Sequence, residues 1–462
     1  MSTSFQGLQL SASALQARQR ALEVVGHNIA NVNTPGYHRQ VASTQARPAL
    51  RETSNESAAG AGYRVGNGVE IAAVRRIHAS YLDRQMHIAQ GDLGGATVRD
   101  RLFRQVESFL SEPSDQGLAS HLERFFNAFE ALGALPADMG ARQEVVLSGQ
   151  QLAEAFNRLD GTFQRLEMDT GGEVRGQVEA INDLARRIAD MNRDIRRALG
   201  AGAQPNDLLD ERDRYLNELA ERAGAQILNQ EQGDVIVSIA GLTLVQGEHA
   251  AELQVEAGPA GLEIISANTG EAVEPGGGLG ALLQAANADL PARRGRLLAV
   301  RDALVAAVNA QHAAGVDGNG APGSDFFAVV DGRLSVSEPL VADPRRVAAG
   351  LEAAPGDGRN ARALAALREA ALVAGQSPGA AYRALVTETG RAAQTAAERR
   401  EQAEAVTEQL DGLANAESGV SLDEELTEMV SLQHAYAAAA RMVTAFDEML
   451  AVLIQQTGTI GR

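Results

Sequence analysis

Residues 422–454, LDEELTEMVSLQHAYAAAARMVTAFDEMLAVLI, set Leu422, Met429, Tyr436, Val443 and Leu450 seven positions apart, with Leu432, Ala439, Phe446 and Leu453 three positions after the last four. A repeat of this kind is the apolar stripe of one long helix, about 50 Å from end to end at ~1.5 Å per residue. The stripe needs a cover, and no adjacent segment offers one. At the other end of the chain Leu8, Leu15, Leu22 and Ile29, with Phe5, Ala12 and Val25, draw a second amphipathic helix. The two ends are therefore expected to pack together, antiparallel or side by side, or to be two helices of a common bundle.

The first helix is expected to stop before Asn33-Thr34-Pro35-Gly36, because Pro35 drives Thr34 out of helical dihedrals and Gly36 permits a positive φ. Short extended pieces are expected around Val65, Val69, Ile71 and Val74, after the Gly-rich stretch Gly60-Ala61-Gly62. Helix returns from Thr97, breaks at Pro113 and continues through Phe125, Phe126 and Phe129 to Pro136. Val174, Ile181, Ile188 and Ile195 then alternate with Val178, Ala185, Asn192 and Leu199 in a coiled-coil-like seam. Asn192 interrupts it, either as a buried register-setting residue or as a solvent-facing one at a bend. Between Gly224 and Pro275 the period falls to two, in Val235 to Ile239, Leu242 to Val245 and Leu262 to Ile265, which predicts a small β-rich module. Helix resumes from Leu279 to Asn309 and, rich in alanine, over most of Asn360 to Leu413.

The fold class is thus mainly α, of the α+β kind: long terminal helices packed together and a helical middle domain carrying a small β-rich module. The expected divisions are 1–50, an N-terminal axial helix and turn; 51–225, a helical middle domain; 226–350, the β-rich module with a helix and a Gly/Asp loop; 351–415, the helical return; and 416–462, the C-terminal axial helix. At 462 residues the chain exceeds a single growing core, and 45% hydrophobic residues give it enough to bury. Aromatic residues make up only 4%, which favours small aliphatic helix contacts.

Composition also removes whole classes of chemistry. All 41 basic residues are arginine, so a P-loop lysine, a pyridoxal Schiff base and a lysine general base are excluded. No cysteine is present, which removes thiol nucleophiles, cysteine metal sites and disulfides. A formal charge of −19 repels nucleic-acid phosphates and anionic lipid, so neither nucleic acid nor membrane is an expected partner. No run approaches the roughly 20 apolar residues that span a bilayer, and no basic-then-apolar signal peptide opens the chain.

Motifs that suggest catalysis dissolve on inspection. Gly375-Gln376-Ser377-Pro378-Gly379 has the spacing of a nucleophile elbow, but Pro378 lacks the N–H that the oxyanion needs. Ser377 reads instead as a helix N-cap with Pro378 in the first turn. Asp317-Gly318-Asn319-Gly320 begins like a calcium loop, yet Ala321 and Pro322 stand where a ligand and the turn glycine belong, so a surface turn is expected. The eight histidines show no close ligand spacing. Asp423-Glu424-Glu425 is expected to serve the dipole of a helix start. No catalytic residue, metal ligand or cofactor is expected.

The segment Asn28-Ile29-Ala30-Asn31-Val32-Asn33-Thr34-Pro35-Gly36-Tyr37-His38-Arg39-Gln40 resembles the signature shared by flagellar rod, hook and hook-associated proteins. Its form is most similar to the hook-associated protein 1 family, as is Ser418-Gly419-Val420-Ser421-Leu422-Asp423-Glu424-Glu425 with Gln433 to Tyr436 and Asp447 to Leu450. Three internal pieces agree: Pro205 to Asp213, Leu244 to Gly247, and Asn309 to His312 leading to Phe326-Phe327. The alternative, another axial subunit such as a hook or rod protein, is disfavoured by Pro205 to Asp213. The resemblance implies a non-enzymatic structural subunit of the bacterial flagellum at the hook–filament junction. It implies export without a cleaved signal through the flagellar type III channel and an extracellular location. The implied partners are further copies in a ring, the hook protein, the next hook-associated or filament junction protein, and an export chaperone. Leu8, Leu15, Leu22, Ile29, Leu422, Met429, Leu432, Tyr436, Val443, Phe446, Leu450 and Leu453 are the expected assembly interface. The family often carries a large outer domain, which looks trimmed here.

Overall fold

The structure, a computed structural model, describes residues 2–48, 50–51, 64–110, 112, 114–230 and 233–457. Helix α1 (Ser2–Ala30) leads to strands β1 (Gln40–Ala46), β2 (Leu50–Arg51), β3 (Arg64–Val65) and β4 (Val69–Arg76). Helices α2 (Ser80–Leu110), α3 (Leu118–Ala134), α4 (Met139–Gly200) and α5 (Asn206–Ala223) follow. Next come β5 (Gln226–Asn229), β6 (Val235–Ile239), β7 (Leu242–Gln246), β8 (His249–Ala250), β9 (Leu253–Gly258), β10 (Gly261–Ser266) and β11 (Ala272–Val273). Helix α6 (Gly277–Gln284), a π turn at Ala285–Asp289 and α7 (Leu290–Ala313) lead to β12 (Phe327–Val330), β13 (Arg333–Val336) and α8 (Glu338–Ala342). Helices α9 (Arg359–Ala366), α10 (Pro378–Ser418) and α11 (Leu422–Thr457) complete the order. The mainly helical fold with small sheets matches the expectation. The Gly60–Gly62 stretch, Pro113 and the side chains of Phe5 and Leu453 lie outside the described residues.

The sheets are small and antiparallel: β1 with β4, β2 with β3, β12 with β13, a four-stranded β5-β6-β7-β8 and a three-stranded β11-β10-β9. One large apolar cluster gathers α3, α4, α7, both halves of the β module and the start of α10. Most of its side chains are aliphatic, as expected from the low aromatic content. The few aromatics are concentrated where α3 meets the start of β12: Phe125 lies 5.2 Å from Phe129 and 5.6 Å from Phe326, centroid to centroid, and Phe326 lies 4.8 Å from Phe327.

The seam on α4 also differs from a coiled coil. Val174, Val178, Ile181, Ala185, Ile188, Asn192 and Ile195 are buried, but they share their core with α5 and the β strands. Asn192, wholly buried, donates to Val235 O at 3.2 Å and Gly247 O at 2.9 Å and accepts from Arg212 at 3.0 Å. It is buried, yet it fixes strands to a helix and sets no helix register. Ser377 does cap α10, accepting from Ala380 N at 3.3 Å with Pro378 in the first turn. The Asp317 loop is a turn closed on itself, Asp317 Oδ1 accepting from Asn319 N and Ala321 N, each at 2.8 Å.

A repeated device joins helices to strand edges. Among the described residues five asparagines each bond both the N–H and the C=O of one extended residue: Asn28 to Gln40, Asn157 to Leu334, Asn182 to Leu253, Asn287 to Leu262 and Asn309 to Phe327. A carboxamide carries a donor and an acceptor at peptide-like spacing, so each side chain takes the place of a missing neighbour strand. The β12–β13 hairpin is held on both open sides this way, by Asn309 from α7 and Asn157 from α4. Asn287 reaches β10 from the π turn, which interrupts the helix expected from Leu279 to Asn309.

Asn182 is nearly fully buried and its bonds to Leu253 measure 2.9 Å both ways. Asn182→Ala leaves a buried N–H and C=O unpaired and should cost about 2–4 kcal/mol, read as a lower denaturant midpoint; Asn182→Asp should be at least as harmful, because a carboxylate then faces the Leu253 carbonyl.

His312 is buried, its Nδ1 bonded to Ser324 O and its Nε2 accepting from Ala348 N at 2.9 Å. That pattern requires the neutral ring, and burial lowers the His312 pKa. Burial likewise lowers the pKa values of His87 and His121. A folded-state pKa held below the unfolded value leaves the stabilisation complete above about pH 6.5 and removes it as the pH falls. The urea midpoint should drop between pH 7 and pH 5, and His312→Gln should be weaker at pH 7 but lose less on acidification.

Candidate functional site

Helices α1 and α11 lie antiparallel. Gly7 sits under the Phe446 ring, Ala21 and Val25 pack with Leu432, and Asn28 meets Glu425, so residue numbers descend on one helix as they rise on the other. The expected seam shifts by one position on α1. Among its described side chains Ser11, Ser13, Ala17, Ala21, Val25 and Asn28 are buried, Val25 alone of them from the expected stripe, while Leu8, Leu15, Leu22 and Ile29 are half-buried beside them. Small side chains on α1 let the two backbones approach and leave the volume to α11. Gly7 shows the constraint most sharply, since a Cβ there would stand 2.5 Å from Phe446. On α11 Leu432 is buried, Met429, Tyr436, Val443, Phe446 and Leu450 are half-buried, and Leu422 is exposed.

The signature segment ties this pair to the rest of the chain. Asn28, only 1% exposed, makes four hydrogen bonds. It donates to Gln40 O and to Glu425 Oε2, both at 2.9 Å, and accepts from Gln40 N at 3.0 Å and from the Tyr37 hydroxyl at 2.8 Å. Glu425 is equally buried, and its other oxygen accepts from Arg39 Nε at 2.6 Å. The capping expectation for Asp423-Glu424-Glu425 is therefore corrected at Glu425, whose carboxylate is an internal anchor. It stands seven residues before Leu432, on the seam itself. Burial, then the charges of Asp207, Asp210 and Glu425, push the Tyr37 phenol well above its ordinary pKa, so it remains a donor. Gly36, at φ +73°, packs its open face on the Arg214 side chain, 2.8 Å from where a Cβ would stand. Ala30, Asn33, Thr34 and Pro35 lie exposed on the turn and Asn31 is half-buried.

Beyond Gln40 the same segment grips α5, joining two motifs that are far apart in sequence. Gln40 donates to Asp207 Oδ1 at 3.1 Å and accepts from Asn206 Nδ2 at 3.1 Å, while Asn206 also donates to Val74 O. His38 bonds Asp210 through its backbone N at 3.2 Å and its ring Nδ1 at 2.8 Å. Arg76 NH1 donates to Asp210 at 2.8 Å and Asp213 at 2.6 Å. Burial pushes the Asp210 carboxyl up, but the bonds from His38 and Arg76 outweigh it and hold it below the usual range. Sequence reading missed Arg76, Asn206, Asp207, Asp210, Gly7 and Glu425 as participants. The legible signals were an acid on a core heptad position and a small residue opposite an aromatic.

In this joint the carboxylates of Asp207, Asp210, Asp213 and Glu425 are each paired with a cation or an amide. His38, Asp210 and Asp213 are, among the described residues, the group whose ligand atoms lie within 4.8 Å of one another.

Three family models match the chain. Residues 103–327 match the flagellar hook-associated protein FlgK helical domain, residues 8–38 the flagella basal body rod protein family, and residues 414–456 the flagellar basal body rod FlgEFG protein C-terminal family. The chain is 28% identical to the flagellar hook-associated protein 1 of Bacillus subtilis (strain 168), over the full length of both. It is 32% identical to that of Escherichia coli (strain K12), across 69% of this chain and 59% of the relative. Its fold is similar to that of the flagellar hook junction protein FlgK from Burkholderia pseudomallei, with a TM-score of 0.64 at 18% identity, covering 73% of this chain and all of that one. With a hook-associated helical domain in the middle, rod-type segments at both ends and relatives of one description along its length, the chain is similar throughout to flagellar hook-associated protein 1.

Proposed function

We propose that this chain is a structural subunit of the bacterial flagellum that builds the hook–filament junction by assembling through its paired terminal helices. The observation that carries this reading is the surface of α11. Its inner seam is filled by α1, yet Leu422, Leu426, Val430, Met442, Met449 and Val452 remain 45–52% exposed on its other faces. Apolar side chains in that number on one helix are stabilised by burial against further protein. Neighbouring copies in a ring are the first occupants in this reading, with the hook protein below and the next hook-associated or filament junction protein above. An export chaperone covers the same stripe before assembly, and the subunit reaches the outside without a cleaved signal. The expected interface residues then divide in two: those facing α1 shape the axial pair, and the outward ones meet the neighbours.

Two experiments separate these roles. Replacing Leu426, Val430 and Met449 together by glutamine should leave monomer melting nearly unchanged and abolish junction assembly, seen as filament-less hooks by electron microscopy and lost motility. Assembly at wild-type level would sink the proposal. Arg39→Met leaves the Glu425 carboxylate buried without its cation, which should cost about 3–5 kcal/mol locally and expose both chain ends to limited proteolysis. Arg39→Met with Glu425→Leu should recover much of that protection, because an apolar pair can replace a buried ion pair.

A further inference from the structure

A cavity of about 500 Å³ opens between the signature turn, the start of α2, α5 and the end of α10. His38, His78, Arg76, Asp83 and Asp213 line it. Two facts about its walls go beyond the joint described above. His38 Nδ1 and one oxygen each of Asp210 and Asp213 lie within 4.8 Å of one another, the reach of ligands to a single ion. Next to them the His78 ring stands edge-on to His38 at 5.9 Å, with its buried Nδ1 making no hydrogen bond even though Asp83 Oδ2 is 3.2 Å away. Asp83 is thus the polar neighbour of His78 Nδ1, and a second imidazole stands beside the cluster of His38, Asp210 and Asp213.

We propose that this cluster is a divalent transition-metal site, with Zn²⁺ as the fitting ion, bound by His38, Asp210 and Asp213 and completed by the neighbouring His78. Mixed imidazole and carboxylate donors suit zinc and its neighbours, whereas Mg²⁺ and Ca²⁺ select oxygen alone. Asp210 and Asp213 are three apart on α5 and so share a face of the helix. Arg76 supplies the positive charge now, its NH1 donating to both carboxylates. Metal and guanidinium therefore compete: as the ion takes the two oxygens, Arg76 releases them and turns into the cavity. Binding through Nδ1 leaves the imidazole proton of His38 on Nε2. The ion would link the signature segment to α5 and stiffen the joint between the terminal pair and the middle of the chain.

The test is isothermal titration of the full-length, chelator-stripped protein with ZnCl₂ at pH 7.5, paired with thermal melts. One site and a raised melting temperature are expected, with no response to MgCl₂. His38→Gln and His78→Gln should each weaken binding roughly tenfold or more, while Arg76→Gln, which removes the competing cation, should tighten it. His78→Gln removes only the partly exposed contact with Asp83, so its circular dichroism should stay native even if the His38 variant unfolds. His434→Gln, on the exposed side of α11, should change nothing. Absence of zinc binding, equal binding in the His78 and Asp213→Asn variants, or weaker binding in Arg76→Gln would overturn the assignment.

Discussion

A single buried carboxylate organises the closed ends of this molecule. Glu425 has lost its water, and a carboxylate in that position is tolerable only when hydrogen-bond donors and a cation replace it. Asn28 and Arg39 supply them, one from the last turns of α1 and one from the segment after the turn. Satisfying Glu425 therefore fixes three things together: the register of α1 on α11, the direction in which the chain leaves α1, and the position of Gln40 at the head of β1. Once Gln40 is set, Asn206 and Asp207 are in reach and α5 is aligned with the axial pair.

The same economy of polar groups runs through the interior. Small sheets have many open edges for their size, and each open edge presents N–H and C=O groups that burial penalises. Asparagines on neighbouring helices meet those groups pairwise, so the sheets need few strands to be fully bonded. The β module docks on α4 through Asn182 and Asn192 and on the π turn through Asn287. The β12–β13 hairpin docks beside the aromatic cluster through Asn309 at Phe327 and Asn157 at Leu334. Helix α4 thus acts as a common wall, apolar between these points and specifically polar at them.

The molecule separates two tasks by where its apolar side chains lie. Its middle keeps a continuous buried core, while the axial pair buries one seam and leaves the remaining α11 side chains at the surface. With 60 acidic and 41 basic residues, net charge opposes indiscriminate association of such a surface. Contacts then depend on geometry.

The heptads of 422–454, the N-terminal stripe and the period-two strands settled the helical and extended segments from local pattern alone, because periodicity reports which side of an element is apolar. Proline and glycine placed the turn at Asn33 to Gly36 for equally local reasons, and Ser377 with Pro378 announced the start of α10. Pattern could not assign partners. It placed Val25 on the α1 seam and Leu22 and Ile29 beside it, but not Ala21 and Asn28, since which flank of a stripe faces inward depends on the volume offered by the opposite helix. It treated Glu425 as a cap, because the value of a charge depends on what surrounds it. It left Asn192 undecided for the same reason. Sequence determined which segments are helix, strand and turn and where their apolar faces lie. Only the tertiary structure decided which polar side chains are internal anchors, because that requires donors and acceptors from distant segments to converge where water has been excluded.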